Sequence, residues 1–144
     1  MIVSQILKSK ADVGVIWVRP TDHVREAVKL LSEKRIGTVV VSEDGTSLDG
    51  ILSERDIVRE MGRRGTSCLD EPVSAMMTAK LVTCAPTDSA DAVLEMMTNG
   101  RFRHLPVVDG GAMIGLISIG DVVKARLSEL SMEKDALQGM IMGH

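Results

Sequence analysis

The sequence predicts a mixed α+β (α/β) fold made of two β-α-β-β-α repeats packed sheet to sheet, and three observations carry that prediction. First, the chain repeats itself. Gly50-Ile-Leu-Ser-Glu-Arg-Asp56 returns as Gly115-Leu-Ile-Ser-Ile-Gly-Asp121, and Pro20-Thr-Asp-His-Val returns as Pro86-Thr-Asp-Ser-Ala. Second, apolar residues alternate between helical spacing and short unbroken runs, the pattern of strands covered on both faces. Third, a unit of this size cannot bury its own sheet, whereas two facing copies can.

Taken in order, each copy opens with a short helix, expected around residues 3–8 and 73–77, where Val3-Ser-Gln-Ile-Leu resembles Val73-Ser-Ala-Met-Met. A short extended segment follows, Val15-Ile-Trp-Val18 in the first copy and Leu81-Val-Thr-Cys84 in the second. Pro-Thr-Asp then starts a helix, with Thr21 or Thr87, or the aspartate after it, as cap. Val24, Ala27, Val28 and Leu31 share one face of that helix; Ala90, Val93, Leu94 and Met97 repeat the stripe, and both read as core packing.

A hairpin comes next in each copy. Ile36-Gly-Thr-Val-Val-Val41 turns through a polar stretch into Gly50-Ile-Leu52, and His104-Leu-Pro-Val-Val108 turns through Asp-Gly-Gly into Met113-Ile-Gly-Leu-Ile117. Pro106 inside a strand implies an edge or a bulge. Ser-x-x-Asp then opens the last helix of each copy. The glycine-rich, basic stretch Met61-Gly-Arg-Arg-Gly-Thr-Ser-Cys68 links the halves, which places the repeats at 1–69 and 70–144. The final helix runs on toward Met142. Along it Val123, Leu127, Leu130, Leu137 and Ile141 hold the spacing of a helix seam, interrupted by Lys134, against a helix of this chain or of a partner chain.

Composition narrows the partners. A net charge of −3 offers no general attraction to nucleic acid or anionic lipid, and the only aromatics, Trp17 and Phe102, make no base-stacking surface. No nucleic acid and no membrane partner is expected. The amino terminus lacks a signal-type segment and no apolar run approaches membrane-spanning length, so a soluble, unexported, cytoplasmic protein is expected. Cys68 and Cys84 show no metal-binding spacing; they read as thiols, with a bridge between them left open. Ten methionines read as adaptable packing. The sequence has no nucleophile-base-acid set, no phosphate-binding glycine loop and no metal-ligand cluster. An enzyme is not expected.

The chemistry therefore concentrates in the duplicated Ser-x-x-Asp. A serine hydroxyl and a carboxylate at a helix start lie beside backbone N–H groups that lack intrahelical partners. The carboxylate suits a ligand's hydroxyls, while free amides and the helix dipole favour a phosphate. The same spacing is also an ordinary capping arrangement.

These paired elements, with Gly-Ile-Leu-Ser-Glu-Arg-Asp-Ile-Val-Arg and Leu-Pro-Val-Val-Asp, resemble a tandem pair of cystathionine-β-synthase (CBS) domains, a Bateman module, of the small stand-alone bacterial kind. The resemblance spans nearly the whole chain. It implies two pseudo-symmetric halves, two clefts that bind adenosine-containing ligands such as AMP, ATP, NAD(H) or S-adenosylmethionine, and a homodimer. The ribose-binding aspartate of the family maps onto Asp56 and Asp121, and its neighbouring hydroxyl onto Ser53 and Ser118. Adenine-lining positions map onto Lys10, Ala11 and Ile16 for one cleft and onto Thr78, Lys80 and Val82 for the other.

Arg103 and His104 are similar to the basic pair that meets phosphate in the regulatory subunit of AMP-activated kinase, whereas the first copy has uncharged Gly37 and Thr38 there. Family geometry implies that Arg103 and His104 serve Ser53 and Asp56, and that Gly37 and Thr38 serve Ser118 and Asp121. The Asp56 cleft should then hold phosphate more tightly, through a permanently charged guanidinium and a histidine whose charge fades above neutral pH. The function implied is a non-catalytic nucleotide sensor read by an unidentified target protein. A ligand-independent interaction module acting on a redox or metabolic enzyme is the alternative.

Overall fold

The stripes and runs become regular elements in a computed structural model of the chain, which describes residues 1–10 and 14–141. In order these are α1 (Val3–Ser9), β1 (Trp17–Val18), α2 (Val24–Lys34), β2 (Thr38–Val41), β3 (Gly50–Ser53), α3 (Glu54–Arg64), α4 (Ala90–Gly100), β4 (His104–Asp109), β5 (Ala112–Ser118) and α5 (Ile119–Ile141). Two 3-10 turns, Thr66–Asp70 and Val73–Ala75, lie between α3 and α4. The class is mixed α+β, as the alternating periods require. Strands β1-β2-β3 form one sheet, with β1 parallel and β3 antiparallel to β2; β4-β5 form a second. The stripes of α2 and α4 face inward: Val24, Ala27 and Leu31, and Ala90, Val93 and Met97, are buried. Both helices stop at an arginine in the left-handed conformation, Arg35 and Arg101, so the repeat extends to backbone geometry.

Three local expectations are corrected. Thr21 and Thr87 cap nothing, and α2 and α4 begin after His23 and Ser89. The aspartates win locally: Asp22 Oδ2 accepts the Arg19 N–H at 2.9 Å and Asp88 Oδ2 the Ala85 N–H at 2.8 Å, which closes a turn instead of a cap. Ser89 supplies the cap of α4, its Oγ accepting the Ala92 N–H at 3.0 Å. The helix expected at 73–77 is only the 3-10 turn Val73–Ala75.

The segment Leu81-Val-Thr-Cys84 is not a strand; it makes a single parallel bridge, Cys84 to Val107. Proline explains the loss. In the first copy the Val40 N–H donates to the Ile16 carbonyl at 3.1 Å, but the matching residue, Pro106, has no N–H. Only its carbonyl serves, accepting from the Cys84 N–H at 3.0 Å. The basic glycine-rich stretch that links the repeats is itself structured. Helix α3 runs through it to Gly65, Arg64 binds Glu60 and Glu71 at 2.8 Å each, and the 3-10 turn that follows buries Cys68.

The chain forms two compact units, and each takes in the opening segment of the other sequence repeat. One gathers Met1–Asp12, Thr83–Val107 and Gly115–His144; the other gathers Val13–Val82 and Val108–Ile114. In the first unit the Val3 and Ser4 N–H groups donate to the Asp88 and Pro86 carbonyls, and the Ala90 N–H to the Met1 carbonyl, at 2.9–3.0 Å. In the second, the Val73 and Ser74 N–H groups donate to the Asp22 and Pro20 carbonyls, and the Val24 N–H to the Glu71 carbonyl. Each copy's first residues thus serve the turn that starts the other copy's helix. The cores follow suit. Val3 and Ile6 pack with Ala90, Val93, Met97, Leu105, Val107 and Ile117, and Val73 packs with Val24, Val39, Val41 and Leu52. Gly110 and Gly111, both at positive φ, turn the β4-β5 hairpin, and the Met113 N–H donates to the Thr46 carbonyl at 2.9 Å within the second unit.

Both cysteines are free thiols and buried. Burial, reinforced by the Asp88 carboxylate, pushes the Cys84 thiol up to about 11. An unfolded chain releases that proton near pH 8.5, so this contribution to stability is complete below about 8.5 and is lost as pH rises from there toward 11. We expect the urea midpoint of the wild-type chain to fall more steeply over this window than that of Cys84→Ala. Parallel slopes in the two proteins would show that the thiol is not what titrates.

Candidate functional site

The two Ser-x-x-Asp elements build equivalent corners where a strand hands over to a helix. At the first, the Ser53 and Asp56 N–H groups bond each other's side chains, at 3.1 Å to Asp56 Oδ2 and 3.2 Å to Ser53 Oγ. The Ser53 hydroxyl also donates to Asp56 Oδ2 at 2.9 Å. At the second, the Ser118 N–H reaches Asp121 Oδ2 at 2.9 Å and the Asp121 N–H reaches Ser118 Oγ at 3.1 Å. Both are reciprocal caps. The structural role of the motif is therefore present in each copy, and a ligand would meet a carboxylate already held in place.

Each carboxylate also carries a cation. Arg59 binds Asp56 Oδ1 at 2.9 Å, and Lys10 binds Asp121 Oδ2 at 2.9 Å while donating to the Leu116 carbonyl. The Arg59 side chain is 63% exposed and that of Lys10 37%, so these pairs are screened by water and exchange readily. Burial works against charge on Asp121, but the Ser118 N–H and Lys10 outweigh it and hold the carboxyl below its ordinary value. Asp121 stays anionic at neutral pH.

One chemical expectation needs correction. Free first-turn amides were to attract phosphate, yet two of them are used at each corner. The Glu54 N–H donates to the Gly37 carbonyl at 2.9 Å and the Ile119 N–H to the Arg103 carbonyl at 2.8 Å, while the Asp56 and Asp121 N–H groups bind the cap serines. Glu54 and Asp56 already answer the positive end of α3. Charge for a phosphate must come from side chains.

The remaining predicted residues fall as follows. Thr38 is buried and stands opposite Ser53 in the β2-β3 ladder, with Gly37 just before it. Thr78 exchanges both backbone bonds with Ile51, two residues before Ser53 on β3. Arg103 is exposed and His104 half-buried at the start of β4. Lys80 and Val82 are exposed; the Ile16 carbonyl supports β2; Ala11 lies outside the described residues. One unit thus brings together Gly37, Thr38, Ser53, Asp56 and Thr78, and the other brings together Lys10, Arg103, His104, Ser118 and Asp121. The grouping of Arg103 and His104 with Asp56 draws on residues of both units.

Arg59 is not among the site residues expected from sequence. Its position three residues after Asp56, one helical turn on, is the signal that could have found it. Glu54, Arg55, Val58 and Arg59 line an open depression along α3. Among the described residues no group of three His, Cys, Asp or Glu side chains is placed to hold a metal, and no helix is long and apolar enough to cross a membrane.

Comparison with known proteins identifies the two repeats. Residues 3–63 and 73–128 each match the family model for the CBS domain. The chain is 36% identical over 148 residues to the mitochondrial CBS domain-containing protein CBSX3 of Arabidopsis thaliana, covering 98% of this chain and 72% of that one. The crystal structure of the CBS-domain protein ATU1752 from Agrobacterium tumefaciens superposes with a TM-score of 0.82 at 40% identity, over 88% of this chain and 99% of that one. CBSX2 of Arabidopsis thaliana, solved in complex with AMP, superposes with a TM-score of 0.74 at 26% identity, over 88% and 96%.

Proposed function

The chain belongs to the CBS domain family, whose domain it carries twice, and on that premise we propose that it is a non-catalytic, cytoplasmic regulatory module that binds an adenosine-containing ligand. The repeats are taken as 1–69 and 70–144. The observation that carries this reading is the duplicated corner: an anchored carboxylate, a serine and an exchangeable cation, twice, at matching places. The carboxylate accepts ribose hydroxyls, the cation is released to phosphate, and Thr78 and Lys10 bring the adenine-lining segments beside β3 and β5. AMP, ATP and NAD(H) all present that chemistry; the AMP complex of CBSX2 supports the first. The reading includes a homodimer and a target protein that senses the ligand-dependent difference in its contacts.

Calorimetry tests it. Asp56→Ala is expected to weaken AMP by roughly ten- to a hundredfold, the range of a charge-assisted hydrogen bond, while thermal unfolding reports the separate cost of the lost cap, about 1 kcal/mol. Arg103→Ala should reduce affinity for AMP more than for adenosine. Equal losses for AMP and adenosine would refute the phosphate role. Because both carboxylates are satisfied by the chain's own groups, a ligand-independent interaction module is the second reading. A wild-type chain that binds neither AMP, ATP, NADH nor S-adenosylmethionine would favour it.

A further inference from the structure

The stretch from Met61 to Cys68 takes no part in either corner, yet it carries a pattern of its own. Arg63 and Arg64 stand three and two residues before Thr66. Helix α3 ends at Gly65, at positive φ, and Gly65, Thr66 and Ser67 are all exposed. The Arg63 side chain is 69% exposed and pairs with Glu60 at 3.1 Å. A pair so open to water is readily exchanged for another carboxylate.

Arg64 has a different role. It bridges Glu60 and Glu71 at 2.8 Å each. The Glu71 Oε2 is buried and receives no hydrogen bond among the described residues, so Arg64 is what compensates this carboxylate. The Glu71 carbonyl accepts the Val24 N–H at 2.9 Å where α2 begins, and Asp70 binds Arg25 of the same helix at 3.2 Å. Two residues on, the Val73 N–H donates to the Asp22 carbonyl at 2.7 Å. One guanidinium thus secures the segment that closes the start of α2, all within one unit.

We propose that Thr66 is a phosphorylation site for a protein kinase that selects upstream arginines, and that the phosphate draws Arg64 off Glu71. The inference stands independently of nucleotide binding. Such a kinase takes up guanidinium groups with carboxylates in its own cleft, as bidentate pairs. The Thr66 Oγ attacks the γ-phosphorus of ATP and the bond to the β–γ bridging oxygen breaks. ADP leaves, and the hydroxyl proton passes to a carboxylate of the kinase. Ser67 is the poorer acceptor, since its arginines stand one residue further back and its Oγ donates to the Arg64 carbonyl at 3.5 Å. Thr66 then carries about 1.5 to 2 negative charges, which Arg63 and Arg64 attract and Glu60, Asp70 and Glu71 repel. Without Arg64, Glu71 keeps a buried oxygen with neither donor nor cation, and it turns toward water. Its carbonyl bond from Val24 loosens with it.

The full chain incubated with ATP and the catalytic subunit of cyclic-AMP-dependent kinase, an arginine-selecting probe, should gain a phosphate that fragmentation mass spectrometry places on Thr66. Ser67→Ala should remain a substrate and Thr66→Ala should not. Arg63→Ala should lower kcat/KM about tenfold or more, the loss of one charge-assisted hydrogen bond. Hydrogen exchange of the purified phosphoprotein should accelerate about tenfold at Val24 and Val73 and stay unchanged in α4. Arg64→Ala should reproduce that acceleration without phosphate. No incorporation, a phosphate on another residue, or a phosphoprotein whose Val24 exchanges as in the unmodified chain would each overturn the proposal.

Discussion

Ile6→Ala is expected to cost about 2–5 kcal/mol, and to cost it in the half of the molecule that the repeat pattern does not assign to Ile6. Ile6 is 1% exposed and packs with Val93, Met97, Leu105 and Ile117, all from the second copy. Truncation leaves a cavity bordered by those side chains. Hydrogen exchange should therefore accelerate in α4, β4 and the second half of β5, while β1, β2 and β3 keep their protection. The reciprocal change, Val73→Ala, removes a fully buried side chain from the core of Val24, Val39 and Leu52 and should loosen the first copy's sheet. If Ile6→Ala instead exposes β2 and β3, the exchange of opening segments is wrong.

The second large effect concerns the glycine that precedes each Ser-x-x-Asp. Neither Gly50 nor Gly115 has a positive φ, so backbone freedom is not why glycine stands there. Close approach is. A methyl on Gly50 would lie 2.8 Å from the Thr78 carbonyl oxygen and 2.8 Å from Met77 Sδ. A methyl on Gly115 would lie 2.8 Å from a terminal carbon of Leu7. In both cases the obstacle is the segment exchanged in from the other copy. Thr78 is held by two backbone bonds to Ile51 and cannot retreat, whereas Leu7 can change rotamer. Gly50→Ala should thus destabilise by about 1–3 kcal/mol and Gly115→Ala by clearly less. Denaturant titration of the two variants measures the difference; equal costs would show that the rigid carbonyl is not the obstacle at Gly50.

Much of the architecture was legible because helix and strand periods are properties of short windows. The stripes of α2 and α4, both hairpins and the capping spacing of Ser53-Asp56 and Ser118-Asp121 are local patterns, and the structure reproduces them. The misses have physical causes. Asp22 and Asp88 turned back on their own backbone, which propensity for a cap could not foresee. Leu81-Val-Thr-Cys84 has strand composition, but its neighbour across the gap is Pro106, and only pairing reveals the missing donor.

By itself, then, the amino-acid order determined that the chain is a duplicated α+β unit with a capped acidic corner in each copy. It also set an apolar seam on the last helix. Tertiary structure alone decided which opening segment completes which core, and which cation rests on which carboxylate, Arg59 on Asp56 and Lys10 on Asp121. Val3-Ser-Gln-Ile-Leu and Val73-Ser-Ala-Met-Met look alike in sequence, so the local pattern does not say which half each completes. Chain connectivity and close packing against Gly50 and Gly115 choose between the two arrangements, and neither is visible in a local window.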